Sequence, residues 1–458
     1  MQPSLTQFLG HLVYETTARH IGQGAIERAK VSLVHNFAVA LAGRNREQIA
    51  YRIAEASYAS PAGATLLHNG ARVTTEGAAF ANGALFHARS QDDTHPDSTS
   101  HPGSPVMAAA LAVAEERGAS GREFLEAVIL GYEVLCRVGR DFDQQVTGRG
   151  YRAAAVFGGF GAAAATARLM KLDAEQTGHA LGLVTHLSGG LSQVWHEGSA
   201  EFPLQLGFAA RNGIVAARAA AAGATAAIYA LDGPRGFFNA YAGATEPAKE
   251  AIADYGHWQI EEVTVKPYPA CAILQGPLQL LCRMIEDDGL SASEVEHLVL
   301  ELNPYEARYT GIDNAGPFVS ATATKMSAQF CLGNALALGR LALADLERVA
   351  DPAVLAEAAK IKLVENPEVP ERLCRITIRT ATGSEIARSL DEAVGRPSPA
   401  EIHAFAIGLA GEIGASAGEM NRLIVQIEAV DKAPDISALI AAAAGMGGQS
   451  LDNFGSAR

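Results

Sequence analysis

The chain has 458 residues, 48% of them hydrophobic and 19% charged, with a formal net charge of −14 and a pI near 5.4. That length supports two or three domains around a large core, and the acidic balance argues against nucleic acid and against acidic membrane surfaces as partners. An anionic substrate would need a local positive pocket.

Residues 1–43 predict two helices, Thr6–Thr17 and Ala25–Ala42, the second ending at Gly43. Further helices are predicted over Arg46–Ala59, Glu76–Phe86 and Pro105–Gly118. Ser120 with Glu123, and Asp173 with Gln176, have the spacing of capping boxes that start helices. The first of these helices carries Phe124, Ala127, Val128, Gly131 and Leu135 on one face. Ala153–Met170 and Asp173–Leu183 continue the pattern. Alanine and glycine are abundant here, and small residues let helices approach closely. The apolar run IVAARAAAAGATAAIYAL carries Arg218 and is rich in alanine rather than leucine, so no membrane span is assigned.

The period changes near residue 258. WQIEEVTVKPYP has strand character, Gln275–Glu286 reads as helix and Val295–Leu302 alternates like a strand. Ala323–Leu343 reads as helix, followed by two short helices to about Val364. CRITIRTATGSEIARSL predicts a β-hairpin turning near Thr382–Gly383. From Ser398 the pattern is helical again, with a glycine- and serine-rich frayed tail. The fold class is therefore mostly α. A large all-helical domain (1–261 plus 396–458) carries a smaller α+β lid domain (262–395) inserted before the C-terminal helices. A cleft between the two is the default place for a site.

One stretch stands out. HARSQDDTHPDSTSHPGSP (87–105) packs His87, Arg89, Asp92, Asp93, His95, Asp97 and His101 between two apolar helices. Pro96, Pro102 and Pro105 forbid a continuous helix, so the segment must reach solvent or line a cleft. Asp92, Asp93, His95 and His101 are divalent-metal ligand types, but no spacing fixes a geometry and no metal is assigned. GGFGAAAATARLM (158–170) lacks the spacing, the preceding strand and the acidic residue of a dinucleotide loop, and reads as close helix packing. There is no phosphate-binding P-loop and no GxSxG elbow. Tyr151 and Arg152 begin a helix after a glycine-rich turn, where a cation at a helix N-terminus favours a carboxylate. Ser188 lies in a second polar insert, THLSGGLSQVWHEGSAEF. Lys266 ends the strand-like VKPYPAC, whose Cys271 reads as a small buried hydrophobe. Lys325, Ser327 and Gln329 open a helix and are expected in solvent. The other four cysteines (136, 282, 331 and 374) are scattered and none forms a CxxC pair, the pattern of reduced thiols in a cytoplasmic protein. The N-terminal MQPSLTQFLGHLVYETT lacks the basic start and apolar run of a signal peptide.

HARSQDDTHPDSTSHPGSPVMAAALAVAE resembles the segment of the MmgE/PrpD family that reads roughly HALDFDDTHPxxxxHPSxPVxPAALAxAE. FGGFGAAAATARLMKLDAEQTGHALGL, GFAARNGIVAARAAAAG, VKPYPACA and KMSAQFCLGNALALG are similar to later blocks, in the same order, over nearly the whole chain. The resemblance implies an all-helical domain with an α+β lid, a homodimer, and chemistry without metal, flavin or nucleotide, so no cofactor is expected. The family includes 2-methylcitrate dehydratase, cis-aconitate decarboxylase and iminodisuccinate epimerase. Asp93, Thr94 and His101 match its DDT…HP element, and Lys266 matches the lysine of KPYP. Four positions depart. Ser90 stands where an acidic residue is usual, Arg152 and Gln275 where histidines are usual, and Phe202 where a lysine is usual.

The family reactions share one step, making or quenching a carbanion beside a carboxylate. Each needs cations for carboxylates and groups that move protons. The expected substrate is a small carboxylic acid. The catalytic candidates are Lys266, His101, Asp93 and Tyr151, and the binding candidates are Arg89, Thr94, His95, Arg152, Ser188 and Gln275. A 2-methylcitrate dehydratase-like lyase with an altered acid–base set is the leading expectation. The alternatives are an epimerase of an iminodisuccinate-like dicarboxylate and a catalytically idle binding homologue.

Overall fold

The computed structural model describes residues 4–446 apart from 18, 46–48, 141, 245–251 and 253–256. The start of the helix predicted from Arg46 and the glycine- and serine-rich tail lie outside those residues. The chain begins with α1 (Leu5–Glu15), α2 (Gln23–Gly43), α3 (Ile49–Tyr58) and α4 (Thr75–His87). It continues with α5 (Gly103–Arg117), α6 (Gly121–Gly139), α7 (Asp143–Gly148) and α8 (Ala153–Met170). Then follow α9 (Ala174–Val184), α10 (Gln193–Glu197) and α11 (Phe202–Ala221). Both predicted capping boxes form, at Ser120 with Glu123 and at Asp173 with Gln176, each satisfying helix N–H groups that would otherwise lack partners.

α8 is the hub of this layer, packing on α5, α6 and α11, while α11 also crosses α4. Its small residues permit this. A Cβ on Gly161 would stand 2.6 Å from the Gly131 carbonyl oxygen, and one on Gly213 would stand 2.4 Å from the Ala162 Cβ. The glycines of GGFGAAAATARLM are thus packing surfaces. By length and mean hydropathy α8 would suffice to cross a membrane, but 89% of it is buried inside the protein, as expected of a core helix. A short antiparallel pair, β1 (Ala59–Thr65) and β2 (Arg72–Val73), interrupts the helices where a helix end and loop were expected.

The smaller region holds a four-stranded sheet ordered β4-β3-β5-β6. Its strands are β3 (Val295–Leu302), β4 (Ile361–Glu365), β5 (Arg375–Thr380) and β6 (Glu385–Ser389). The β5–β6 hairpin turns through Gly383, whose φ of 87° suits glycine. α12 (Gln275–Asp288), α13 (Ala328–Leu338) and α14 (Pro352–Ala358) accompany the sheet. Three sequence readings are corrected here. WQIEEVTVKPYP is a 3₁₀ turn, Gln259–Glu262, followed by a single bridge at Thr264. The helix predicted over Ala323–Leu343 breaks at Lys325–Ser327, where the Ser327 hydroxyl caps α13. The two short helices predicted up to about Val364 form as a 3₁₀ turn, Leu343–Glu347, and α14, but the last residues of that stretch are strand β4, parallel to β3.

Three helices close the chain, α15 (Pro399–Ala410), α16 (Ala417–Glu428) and α17 (Ser437–Ala444), and α15 packs on α2. Their apolar residues join the core of the first eleven helices. The sheet region has a separate core that also takes in Val194, Trp195 and Phe202.

Candidate active site

α4 ends at His87 and α5 begins at Gly103; the loop between them is buried rather than solvated, with Arg89, Gln91, Asp92, Asp93 and His95 each at most 1% exposed. Ser90 has a φ of 55°, a left-handed conformation that costs a non-glycine residue energy and persists only where its surroundings enforce it. That turn presents the Ser90 carbonyl oxygen to Lys266, whose Nζ donates to it at 2.8 Å. Thr94 and Thr264 exchange two backbone hydrogen bonds of 2.8 Å, so the loop and the segment carrying Lys266 are held in register.

Asp92 is the centre of the resulting cluster. Its Oδ2 accepts from His87 Nδ1 at 2.7 Å and from the Ser104 hydroxyl at 2.5 Å. Its Oδ1 has no hydrogen bond, but the Lys266 ammonium lies 3.6 Å away. Burial pushes the Asp92 carboxyl up, yet His87, His101 and Lys266 together hold it well below the usual carboxylate range. His87 Nε2 meets Arg152 Nη2 in a short contact. A guanidinium only donates, so the ring takes the tautomer with its proton on Nδ1. Burial drives His87 down to about 4, which keeps it neutral in that role. Arg152 is itself buried, and burial lowers it to about 10. Its other hydrogen bonds go to the Phe202 carbonyl at 2.7 Å and Gln205 Oε1 at 3.1 Å, both neutral acceptors.

His101 closes the group on its open side. Its Nδ1 lies 3.0 Å from the Asp93 carbonyl oxygen, 3.2 Å from the Thr94 hydroxyl and 3.4 Å from Lys266 Nζ. With the Nδ1 proton given to the carbonyl, Nε2 is a base; with Lys266 or Thr94 donating to Nδ1, Nε2 carries the proton. Burial and the Lys266 charge hold His101 well below the ordinary imidazole range. Burial likewise lowers Lys266. The ligand atoms of His87, Asp92 and His101 lie within 4.8 Å of one another, a possible metal grouping. Both His87 nitrogens are already engaged and the Lys266 ammonium stands beside Asp92, so these donors fit proton transfer better than a dication.

Lys266 and Thr94 also line a cavity of about 100 Å³ between the loop and the smaller region, with Tyr305, Glu306 and Tyr309 on the far wall. Behind Lys266 an open groove of about 890 Å³ runs past His35, Arg283 and Arg396. Lys266 is common to both spaces.

Of the candidates named from the sequence, Lys266, His101, Thr94 and Arg152 come together. Asp93 is adjacent, but its carboxylate turns inward. Tyr132 donates to Oδ2 at 2.6 Å and the Gly103 N–H to Oδ1 at 2.9 Å, while burial raises its pKa to about 6. The remaining candidates take other positions. The Arg89 guanidinium is held by Glu412 at 2.5 Å and by Gln91 Oε1 at 3.0 Å, tying the loop to the C-terminal helices. The Gln275 amide bonds to the backbone of Tyr268, Ala270 and Cys271, bracing the turn that follows Lys266. His95 is buried with Nδ1 on the Ser98 hydroxyl at 2.9 Å. The Tyr151 ring lies against Tyr241, and the Ser188 hydroxyl donates to the Val184 carbonyl. Among the described residues no side-chain hydrogen bond links these five to the cluster.

The sequence reading assigned no site role to His87 or Asp92, although both stood in the ionisable stretch, nor to Ser104. The five-residue step from His87 to Asp92 crosses a helix end, so no helical or strand period relates them. Lys325, expected in solvent, is 4% exposed and sets its ammonium 4.6 Å from the centre of the Phe202 ring. An ammonium from the smaller region therefore stands beside the position where the family resemblance expects a lysine.

Comparison with known proteins agrees with this architecture. The MmgE/PrpD N-terminal domain matches residues 7–250 and the MmgE/PrpD C-terminal domain matches residues 268–402. A cis-aconitate decarboxylase from Aspergillus terreus is 25% identical over 469 residues, covering 95% of each chain. A cis-aconitate decarboxylase-like protein from Aspergillus oryzae is 28% identical over 296 residues, 61% of each chain. The human cis-aconitate decarboxylase is 27% identical over 311 residues, 66% of this chain and 62% of its own.

Proposed function

The chain belongs to the MmgE/PrpD family, and from that premise we propose that it is a cofactor-independent lyase that decarboxylates a small unsaturated tricarboxylate of the cis-aconitate type. The observation that carries this reading is Lys266. It is a buried ammonium 3.4 Å from a neutral imidazole and 3.6 Å from a carboxylate, at the wall of a cavity between the two regions of an acidic protein. The names of the relatives support decarboxylation over the dehydration expected from the sequence.

In this reading Lys266, Arg152 and Lys325 together supply the positive potential that draws polycarboxylate into the cleft and stabilises charge developing as carbon dioxide departs. Thr94 positions His101. His101 moves a proton at Nε2 while its Nδ1 changes between the Asp93 carbonyl and the donors beside it. Asp92 fixes the tautomer of His87, and His87 in turn fixes Arg152.

Incubation with cis-aconitate, 2-methylcitrate and iminodisuccinate-like acids in deuterium oxide, followed by NMR, tests the reading. A decarboxylated alkene with deuterium at carbon is the expected product from cis-aconitate. Water loss from a hydroxy acid would return the dehydratase, deuterium exchange without net reaction the epimerase, and no change in any acid the idle homologue.

A further inference from the structure

We propose that Glu306, carried by the smaller region, is a catalytic acid of this cleft that delivers the proton to the substrate carbon; this rests on the lyase reading above. Glu306 is 6% exposed and lies on the cavity wall across from Thr94 and Lys266. One carboxyl oxygen, Oε1, accepts the Arg372 N–H at 3.0 Å. The other, Oε2, is buried with no hydrogen-bond partner. A buried carboxyl oxygen left unsatisfied costs free energy unless it is protonated or receives a ligand. At the wall of a cavity it is poised to donate to what enters.

Arg372, Glu371 and Cys374 approach Glu306 from the segment leading into β5, Cys271 from the turn after Lys266, and Tyr305 and Tyr309 from its own helical turn. Burial pushes Glu306 up to about 7 against the lowering effect of the Arg372 N–H bond. The acid form is thus populated at neutral pH.

The step balances. The bond to the departing carboxylate breaks and its electron pair stays on the allylic carbon. The Glu306 proton moves to that carbon, carbon dioxide leaves, and water reprotonates the Glu306 carboxylate. Lys266, which lines the same cavity, holds another carboxylate, and the proton movement at His101 Nε2 is confined to the side of the cluster away from this carbon.

The test compares wild type, Glu306→Gln and Glu306→Asp. The expected result is at least a 30-fold fall in kcat for Glu306→Gln with KM changed less than threefold. The wild-type rate falls as pH rises through about 7, and this fall is absent in Glu306→Gln and restored in Glu306→Asp. Should Glu306→Gln fail to fold, judged by its circular dichroism and melting, Glu306→Asp alone decides by lowered kcat with a displaced alkaline limb. Wild-type kcat and an unchanged pH profile in either variant overturn the proposal. If the wild type turns over no tricarboxylate, the lyase reading fails separately, and tricarballylate calorimetry in buffers of different ionisation enthalpy decides for Glu306. Proton uptake on binding that vanishes in Glu306→Gln supports the assignment; equal uptake in both proteins, or none in either, overturns it.

Discussion

A lysine ammonium held among an imidazole, a carboxylate and a strained carbonyl has few replacements that keep its chemistry. Lys266→Met removes the charge, leaving the buried Ser90 carbonyl without its donor and Asp92 without the ammonium beside it. Turnover is expected to fall at least 10³-fold, about 4 kcal/mol of transition-state stabilisation, as read by steady-state kinetics. Near wild-type kcat would remove Lys266 from the site. Arg152→Leu acts differently, because it strips His87 Nε2 of its donor and the cleft of positive potential. Both kcat and KM should worsen, with kcat/KM down about 10²-fold, or about 2.7 kcal/mol of transition-state stabilisation; a change in KM alone would make Arg152 a simple anion anchor. At this scale the sequence was partly legible. Lys266, His101 and Thr94 were found because their motifs are contiguous. His87 and Ser104 meet Asp92 only after two helix ends converge, and Lys325 reaches Phe202 from a distant part of the chain within one core, so neither pairing has a signature along the chain.

Helices were easier to read than strands. Ser120 and Asp173 cap where their spacing predicts, since a capping box is a local device. Strand β4 is five residues long, and a run that short has no period to separate it from helix; its partner β3 decides it. The segment before Lys266 alternates like a strand, but Gln259–Glu262 winds into a 3₁₀ turn and the prolines after Lys266 stop any extension, so one bridge, Thr264 to Thr94, forms. The α6–α8 contact supplies a stability test. In Gly161→Ala the added Cβ would stand 2.6 Å from the Gly131 carbonyl and 2.7 Å from Val106 Cγ2. Overpacking of this kind costs about 1–3 kcal/mol, so the melting temperature should drop by several degrees, whereas an unchanged melt would mean the two helices separate freely.

The whole molecule should be sensitive to acid. Burial holds His35, His87 and His95 down to about 4, and His101 is lowered as well. Their unfolded values lie near 6.5, so between these limits the unfolded chain binds more protons and stability falls as pH falls. Asp93, raised to about 6, and Glu306, raised to about 7, oppose this by taking up protons in the folded state first. His68 and the low Asp92 add to the loss and the raised Glu133 and Asp143 add to the opposition; the imidazoles outweigh the carboxyls and leave a net loss on the order of a few kcal/mol by pH 4.5, read as a lower melting midpoint than at pH 7. A midpoint that holds or rises would contradict the buried neutral imidazoles. The homodimer implied by the family resemblance is proposed on the same scale, and sedimentation at twice 47.8 kDa would support it. The central claim, that this buried cluster decarboxylates a tricarboxylate, is tested most directly by labelled carbon dioxide released from carboxyl-labelled cis-aconitate, wild type beside Lys266→Met. Release by the wild type and none by the variant is the predicted result; release by neither, or by both equally, would contradict it.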